Sequence, residues 1–179
     1  MSRAQISSLP PSAPVTPEAF REACAHFASG VAIATTRDPL GNPHGLTISS
    51  FTPVSLDPPL VLICVDSHCA LLAHFRSSAF FAVNILEASQ RALSEAFALK
   101  PDQRFDNVDW SAGVTAAPIL AGSLASIECR KTRVLEAGDH AVVFGEVVAT
   151  AVHSGRPLVY FHRAYRDLAL NAADSFPLD

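Results

Sequence analysis

The sequence predicts an α+β domain in which an antiparallel barrel carries about three helices at its ends. Three observations lead there. Six or seven short runs rich in Val, Ile, Phe and Thr recur along the 179 residues without regular alternation with helical segments, which disfavours a doubly wound parallel sheet. Hydrophobic residues make up 49% of the chain and charged residues only 17%. Few charges are therefore available to blunt exposed strand edges, and closure into a barrel removes those edges. Turn-forming clusters such as Asp38-Pro39-Leu40-Gly41-Asn42-Pro43 separate the runs.

Residues 1–15, rich in Ser and Pro, read as a tail, followed by one domain over 16–170 and a short C-terminal tail at 171–179. Thr16-Pro17-Glu18 is a helix start: a capping hydroxyl, a proline preset for the first turn, and an acid near the positive end of the dipole. Phe20, Ala23, Cys24 and Phe27 follow at i, i+3, i+4 and i+7, which predicts one inward face, and Gly30 is the expected stop. Strands are predicted over 31–36, 45–51, 60–65, 80–85, 126–135, 141–152 and 158–161. The two longest are joined through Ala137-Gly138-Asp139. Short helices are expected at 70–75, with Leu71, Leu72 and Phe75 inward, and at 89–99, with Leu93 and Phe97 four apart.

Composition narrows the function. The formal net charge is −4, and Lys100 and Lys131 are the only lysines. A phosphate backbone needs clustered cations, so nucleic acid is not an expected partner. The longest apolar run, 60–65, is far short of the roughly 18 residues of a membrane span, so a membrane is not expected either. The excess of apolar residues instead predicts a face covered by a second subunit. Cys24, Cys64, Cys69 and Cys129 read as buried, reduced thiols in a cytoplasmic protein. Cys64, Cys69, His68 and His74 match no standard zinc spacing.

Several segments carry chemical interest. In the run His44-Gly45-Leu46-Thr47-Ile48-Ser49-Ser50-Phe51, alternation puts Thr47, Ser49 and Phe51 on one face and Leu46, Ile48 and Ser50 on the other. Small hydroxyl side chains leave backbone N–H groups approachable and add donors, which suits a flat polar heterocycle or a phosphate. An ordinary solvent-facing strand accounts for the same residues. Ser55-Leu56-Asp57-Pro58-Pro59 reads as a rigid turn into the next strand. Asp66-Ser67-His68-Cys69-Ala70 lies where a strand yields to a helix, a place for either an anion at the helix N-terminus or a simple cap. His140 follows the tight turn Gly138-Asp139, where its ring either projects into a loop-lined space or is an ordinary exposed surface residue. Tyr160, His162, Arg163, Tyr165 and Arg166 interleave aromatic and cationic groups able to clamp a phosphate or stack on a planar ring, or form a final strand that packs Tyr160 and leaves Arg166 solvated.

Taken in order, residues 20–36, 45–51, 54–60, 81–86, 104–105, 137–140, 144–147, 157–160 and 165–166 resemble the flavin reductase family, small NAD(P)H-dependent reductases that supply reduced flavin to two-component monooxygenases. The resemblance implies an FMN-binding split barrel, a homodimer, FMN or FAD as flavin, and NADH or NADPH as hydride donor. It assigns Thr47, Ile48, Ser49 and Ser50 to the flavin ring and ribityl chain, Asp66, Ser67 and Ala70 to the phosphate end, and Asn84, Arg104 and Phe105 to further contacts. His140 falls to the nicotinamide, with Tyr165 and Arg166 nearby. Relatives have a longer, more hydroxyl-rich loop at 67–70, and a glycine where this chain has Arg163. A non-catalytic split-barrel flavin or haem carrier is the alternative, one in which NAD(P)H would not reduce added flavin.

Overall fold

A computed structural model describes residues 14–99 and 104–168. The predicted tails at 1–15 and 171–179 lie almost wholly outside these residues. The first helix, α1 (Pro17–Ala25), begins as its sequence dictates: the Thr16 hydroxyl accepts from the Ala19 N–H at 3.2 Å. It ends at Ala25, well before Gly30, and none of its residues is buried. Phe20 is 63% exposed and Phe27 79%, so the expected inward face is corrected to an outward one. Helical periodicity identifies an apolar stripe but not what covers it.

The strands are β1 (Ser29–Gly30), β2 (Ala32–Arg37), β3 (Pro43–Ile48), β4 (Thr52–Leu56), β5 (Pro59–Asp66) and β6 (Phe80–Ile85). They continue with β7 (Trp110–Ala112), β8 (Pro118–Leu120), β9 (Ala125–Ala137), β10 (His140–Val152), β11 (Val159–Phe161) and β12 (Ala164–Arg166). Helices α2 (Leu72–Ser77) and α3 (Arg91–Leu99) interrupt the series, the latter after a 3₁₀ turn capped by Glu87. The hairpin β7–β8 and the strand β4 have no counterpart in the sequence reading. Each is short, and the prolines at 53 and 118 hide the pattern.

Seven strands form one antiparallel sheet in the order β3-β2-β6-β9-β10-β5-β4. Its two edges, β3 and β4, are neighbours in sequence, joined by residues 49–51 alone. So short a link forces the sheet to curl until its edges meet. At the seam the Ser50 hydroxyl accepts from the Cys64 N–H and donates to the Cys64 carbonyl, both at 3.0 Å. β3 and β4 do not pair with each other, and the barrel is split.

The barrel interior is filled by Ile63, Phe75, Phe81, Val83, Cys129 and Val143. Gly145 makes this packing possible: a Cβ there would stand 2.6 Å from both the Phe81 ring and Cys129 Cβ. A second core, Ile33, Leu86, Phe97, Leu120 and Leu158, lies between the sheet and α3. Gly45 admits it, since a Cβ would fall 2.8 Å from the Phe97 ring. Phe105, Trp110 and Tyr165 pack against its margin.

Candidate functional site

Thr47 and Ile48 end β3, and Ser49 turns out of it, with Tyr160 and Tyr165 standing across from them on β11 and β12. Together with Val31 and Ala98 these residues line a cavity of about 190 Å³. Ser49 also lines a larger cleft of about 450 Å³ that Tyr160, Phe161, His162, Arg163 and the C-terminal half of α1 complete. On its other side Ser49 and Ser50 border an apolar groove of about 660 Å³, walled by residues 27–32, Leu62 and Ile85. Three concavities thus converge on one serine at a strand end, with an aromatic wall opposite.

Ser94, fully buried on α3, organises this corner. Its carbonyl accepts from the Thr47 hydroxyl at 2.7 Å, and its hydroxyl lies 2.9 Å from the Tyr165 hydroxyl. The Arg91 guanidinium sits 5.1 Å from the Tyr165 ring centre, within cation–π range, while bonding Glu95. Arg91, Glu95, Arg163 and Arg166 rim a further cavity of about 590 Å³ that shares Tyr160 and Tyr165. Arg166 therefore belongs to this side of the molecule, as does Arg163. At Arg163 the backbone has φ 60°. That left-handed conformation favours glycine, and this chain places a long cation there whose guanidinium lies 3.4 Å from Glu22.

His140 lies elsewhere on the barrel rim. It pairs with Asp66 across β10 and β5, and the Ser67 N–H donates to the Asp139 carbonyl at 2.9 Å, so the histidine turn and the 66–70 loop form one cluster. The His140 ring bonds Asp139 through Nδ1 at 2.7 Å. Hydrogen bonds hold two carboxyls below the ordinary aspartate range: the His68 N–H and ring do so for Asp66, and the His140 ring for Asp139. The link to the Thr47–Ser50 corner runs along β5. Ser50 sits beside Cys64 and His140 beside Asp66, two residues and one strand further on, roughly 12 Å at ordinary strand spacing.

Two of the sequence expectations require correction, the cap of α2 and the burial of the cysteines. Asn84 is fully buried, and its amide bonds the Ile33 and Pro118 carbonyls, the Thr35 hydroxyl and the Leu120 N–H. It pins the β7–β8 hairpin to the sheet. No capping serine or aspartate starts α2: its N-cap is Leu71, which makes no side-chain cap bond, and Asp66 instead closes a turn on His68. Ser67 and Ala70 are exposed but precede a helix of only six residues. Among the cysteines, Cys24 is exposed, Cys64 and Cys69 are half-buried and only Cys129 is buried. Arg104 and Phe105 line a separate cavity of about 300 Å³ with His44, Gly45 and Leu71.

The residues that sequence reasoning missed are Ser94, Arg91 and Ala98 on α3. Ser94 sits one residue after Leu93 in an apolar stripe and reads as helix filler; only the fold shows that it holds both Thr47 and Tyr165.

Residues 24–169 match the family described as flavin reductase like domain. The chain is 42% identical over 133 residues to the stachydrine N-demethylase reductase subunit Stc3 of Rhizobium meliloti, a match covering 74% of this chain and 58% of Stc3. It is 38% identical over 146 residues to the FMN reductase (NADH) SmoA of Agrobacterium fabrum, covering 82% of this chain and 83% of SmoA. The solved NADH:FAD oxidoreductase SgcE6 of Streptomyces globisporus, in complex with NAD and FAD fragments, superposes with a TM-score of 0.82 at 34% identity over 90% of this chain and 99% of that one. The chain spans about half the length of the two Rhizobium meliloti relatives it matches, 43% of one and 58% of the other. The match across nearly the whole described chain, with the split barrel built from the same ordered segments, places it in the flavin reductase family.

Proposed function

We propose that this chain is an NAD(P)H-dependent flavin reductase, accepting FMN or FAD and delivering reduced flavin to a partner monooxygenase. The observation that carries the reading is the convergence of three clefts on Ser49 opposite Tyr160 and Tyr165. A flat heterocycle needs apolar walls with a few donors at one edge, and this corner offers both. When bound, the two cofactors supply hydride transfer from nicotinamide to flavin.

The chain's own residues position and shield. Thr47 lines the small cavity and is held in place by its bond to the Ser94 carbonyl. Ser49, exposed and without a side-chain partner among the described residues, is the free hydroxyl of the corner. Tyr160 and Tyr165, 5.4 Å apart edge to face, form a wall against which a ring can lie. Arg91, Arg163 and Arg166 give that wall a cationic rim suited to a dinucleotide's phosphates. His140, its tautomer set by Asp139, orients the nicotinamide at the second cluster.

The reading includes a homodimer. Phe20 and Phe27 on and after α1, with the apolar groove walled by 27–32, form an uncovered surface on a chain rich in apolar residues. A second copy is the occupant that would also bring a second cleft against the first. Four free cysteines suit a reducing, cytoplasmic setting. No described helix is long and apolar enough to cross a membrane. The deciding experiment is oxidation of NADH and NADPH by the purified chain with and without FMN or FAD. Turnover that requires added flavin is the expected result, and no flavin-dependent turnover with either nucleotide overturns the reading.

A further inference from the structure

We infer that Glu22, His26 and His162 form a zinc site that clasps α1 to the turn between β11 and β12. Such a clasp would reinforce a helix that buries none of its residues and meets that turn through the His162 N–H to the Ala25 carbonyl at 2.9 Å and the Arg163–Glu22 pair at 3.4 Å.

The three side chains are arranged as ligands. Glu22 and His26 are four apart, so they share one helix face. The His26 Nδ1 lies 2.9 Å from the Glu22 carbonyl, which can only accept. That nitrogen therefore carries the proton, and the His26 Nε2 lone pair is left bare. The His162 Nε2 lies 3.3 Å from the His26 Nε2, the two rings standing nearly perpendicular. Two nitrogens on one tetrahedral zinc, each about 2.05 Å from the metal, stand about 3.3 Å apart. A Glu22 oxygen lies 3.9 Å from the same His162 nitrogen, and all three ligand atoms fall within 4.8 Å of one another. Among the described residues this is the single such group.

Its surroundings are those of an oriented site. The second Glu22 oxygen faces the Arg163 guanidinium at 3.4 Å, which leaves the first directed to the histidines. The Glu22 carbonyl orients His26 as a backbone carbonyl commonly orients a metal-bound imidazole. His26 is also the C-cap of α1, where the helix dipole favours a cation. His162 and Arg163 hold φ 54° and 60°, a left-handed pair that turns both side chains back onto α1. Two nitrogens and a carboxylate suit zinc, with water completing the tetrahedron. A direct Nε2–H···Nε2 bond between the two histidines is the competing account of the 3.3 Å separation.

The inference does not rest on flavin chemistry, and its test does not read it. The untagged full chain is titrated with zinc chloride by calorimetry in a non-chelating buffer, and with cobalt(II) by visible absorption. One ion per chain is expected, with the intense d–d bands of tetrahedral cobalt and a zinc-dependent rise in the thermal midpoint. His26→Ala and His162→Asn should each weaken binding by more than about tenfold and abolish the thermal response. Asparagine is chosen because it tolerates the left-handed backbone at 162. Glu22→Gln should weaken binding less. No zinc bound by the unmodified chain, or equal binding by both histidine variants, overturns the site and leaves the direct histidine–histidine bond.

Discussion

The Thr47 hydroxyl donates to the backbone carbonyl of Ser94 at 2.7 Å, tying the end of β3 to the middle of α3. The same serine meets Tyr165 through its side chain at 2.9 Å, so one buried residue fixes both walls of the proposed cleft. Thr47 is thus a structural clamp as well as a cleft residue. Thr47→Val should lower stability by about 1 kcal/mol, or roughly 2–4 °C in Tm for a domain of this size, and should weaken flavin binding as the wall shifts. Thr47→Ser should restore both. Thermal unfolding and a flavin titration read the two effects; a valine variant with native values in each would show that the hydroxyl is idle.

Ser50 makes a sharper case at the barrel seam. Its hydroxyl satisfies both backbone groups of Cys64 where the two sheet edges meet. Ser50→Ala removes two hydrogen bonds at once and should cost about 1–3 kcal/mol. Hydrogen exchange checks the mechanism as well as the magnitude: the Cys64 amide should lose protection while amides in β6 keep theirs. Uniform protection in the variant would place the seam's stability elsewhere.

Asn84 shows why some of the site was legible in the sequence and some was not. The barrel was readable because its strands are long, apolar and bounded by Gly and Pro; the β9–β10 hairpin and its 137–139 turn emerge as expected. The Thr47–Ser50 segment draws notice in the sequence because three hydroxyls fall within four residues next to a strand end. Asn84 carries the same polar mark within an apolar strand, yet its amide serves β2 and the β7–β8 hairpin. A buried polar residue looks alike in sequence whether it meets a ligand or satisfies a backbone group 36 residues away. The face of α1 fails for the related reason that an apolar stripe predicts a covering but not its source. Ser94 was invisible because its role depends on two partners 47 and 71 residues distant.

His140→Ala tests the nicotinamide assignment. The ring is half-exposed and bonds Asp139 at the barrel rim, so its loss should leave the fold intact. Removing a group that orients the nucleotide should raise KM for NADH by roughly tenfold, equivalent to about 1.4 kcal/mol, with a much smaller change in KM for flavin. Equal KM values in the variant and the native chain would make His140 a bystander.

Phe20→Asp and Phe27→Asp address the uncovered apolar face. Both side chains are mostly exposed within one chain, so neither change should alter the monomer's core. In a dimer that buries them, a carboxylate must either break the interface or be desolvated without a partner. Sedimentation velocity should show the native chain as a dimer and the variants shifted towards monomer, with reductase activity falling in parallel. A native chain that sediments as a monomer would remove the second copy from the proposal.

Acid stability follows from the cluster around the histidine turn. The His140 ring bonded to Asp139 is the main cause of its lowered pKa, while the nearby Asp66 charge opposes it. Asp66 is itself held low by the His68 backbone and ring. A carboxyl whose pKa is lower in the folded chain binds protons less readily there than in the unfolded chain. Its contribution is therefore complete above the ordinary aspartate value of 3.8 and is lost as the pH falls through the folded value. Both groups are exposed, so solvent and salt screen the effect. In urea titrations at low ionic strength, Asp139→Asn should be less stable than the native chain near pH 6. The difference should close as the pH is brought below the folded value, and 1 M salt should shrink it throughout. A difference that persists unchanged in strong acid would mean that asparagine perturbs the turn itself, and that the charge of Asp139 contributes nothing to the fold.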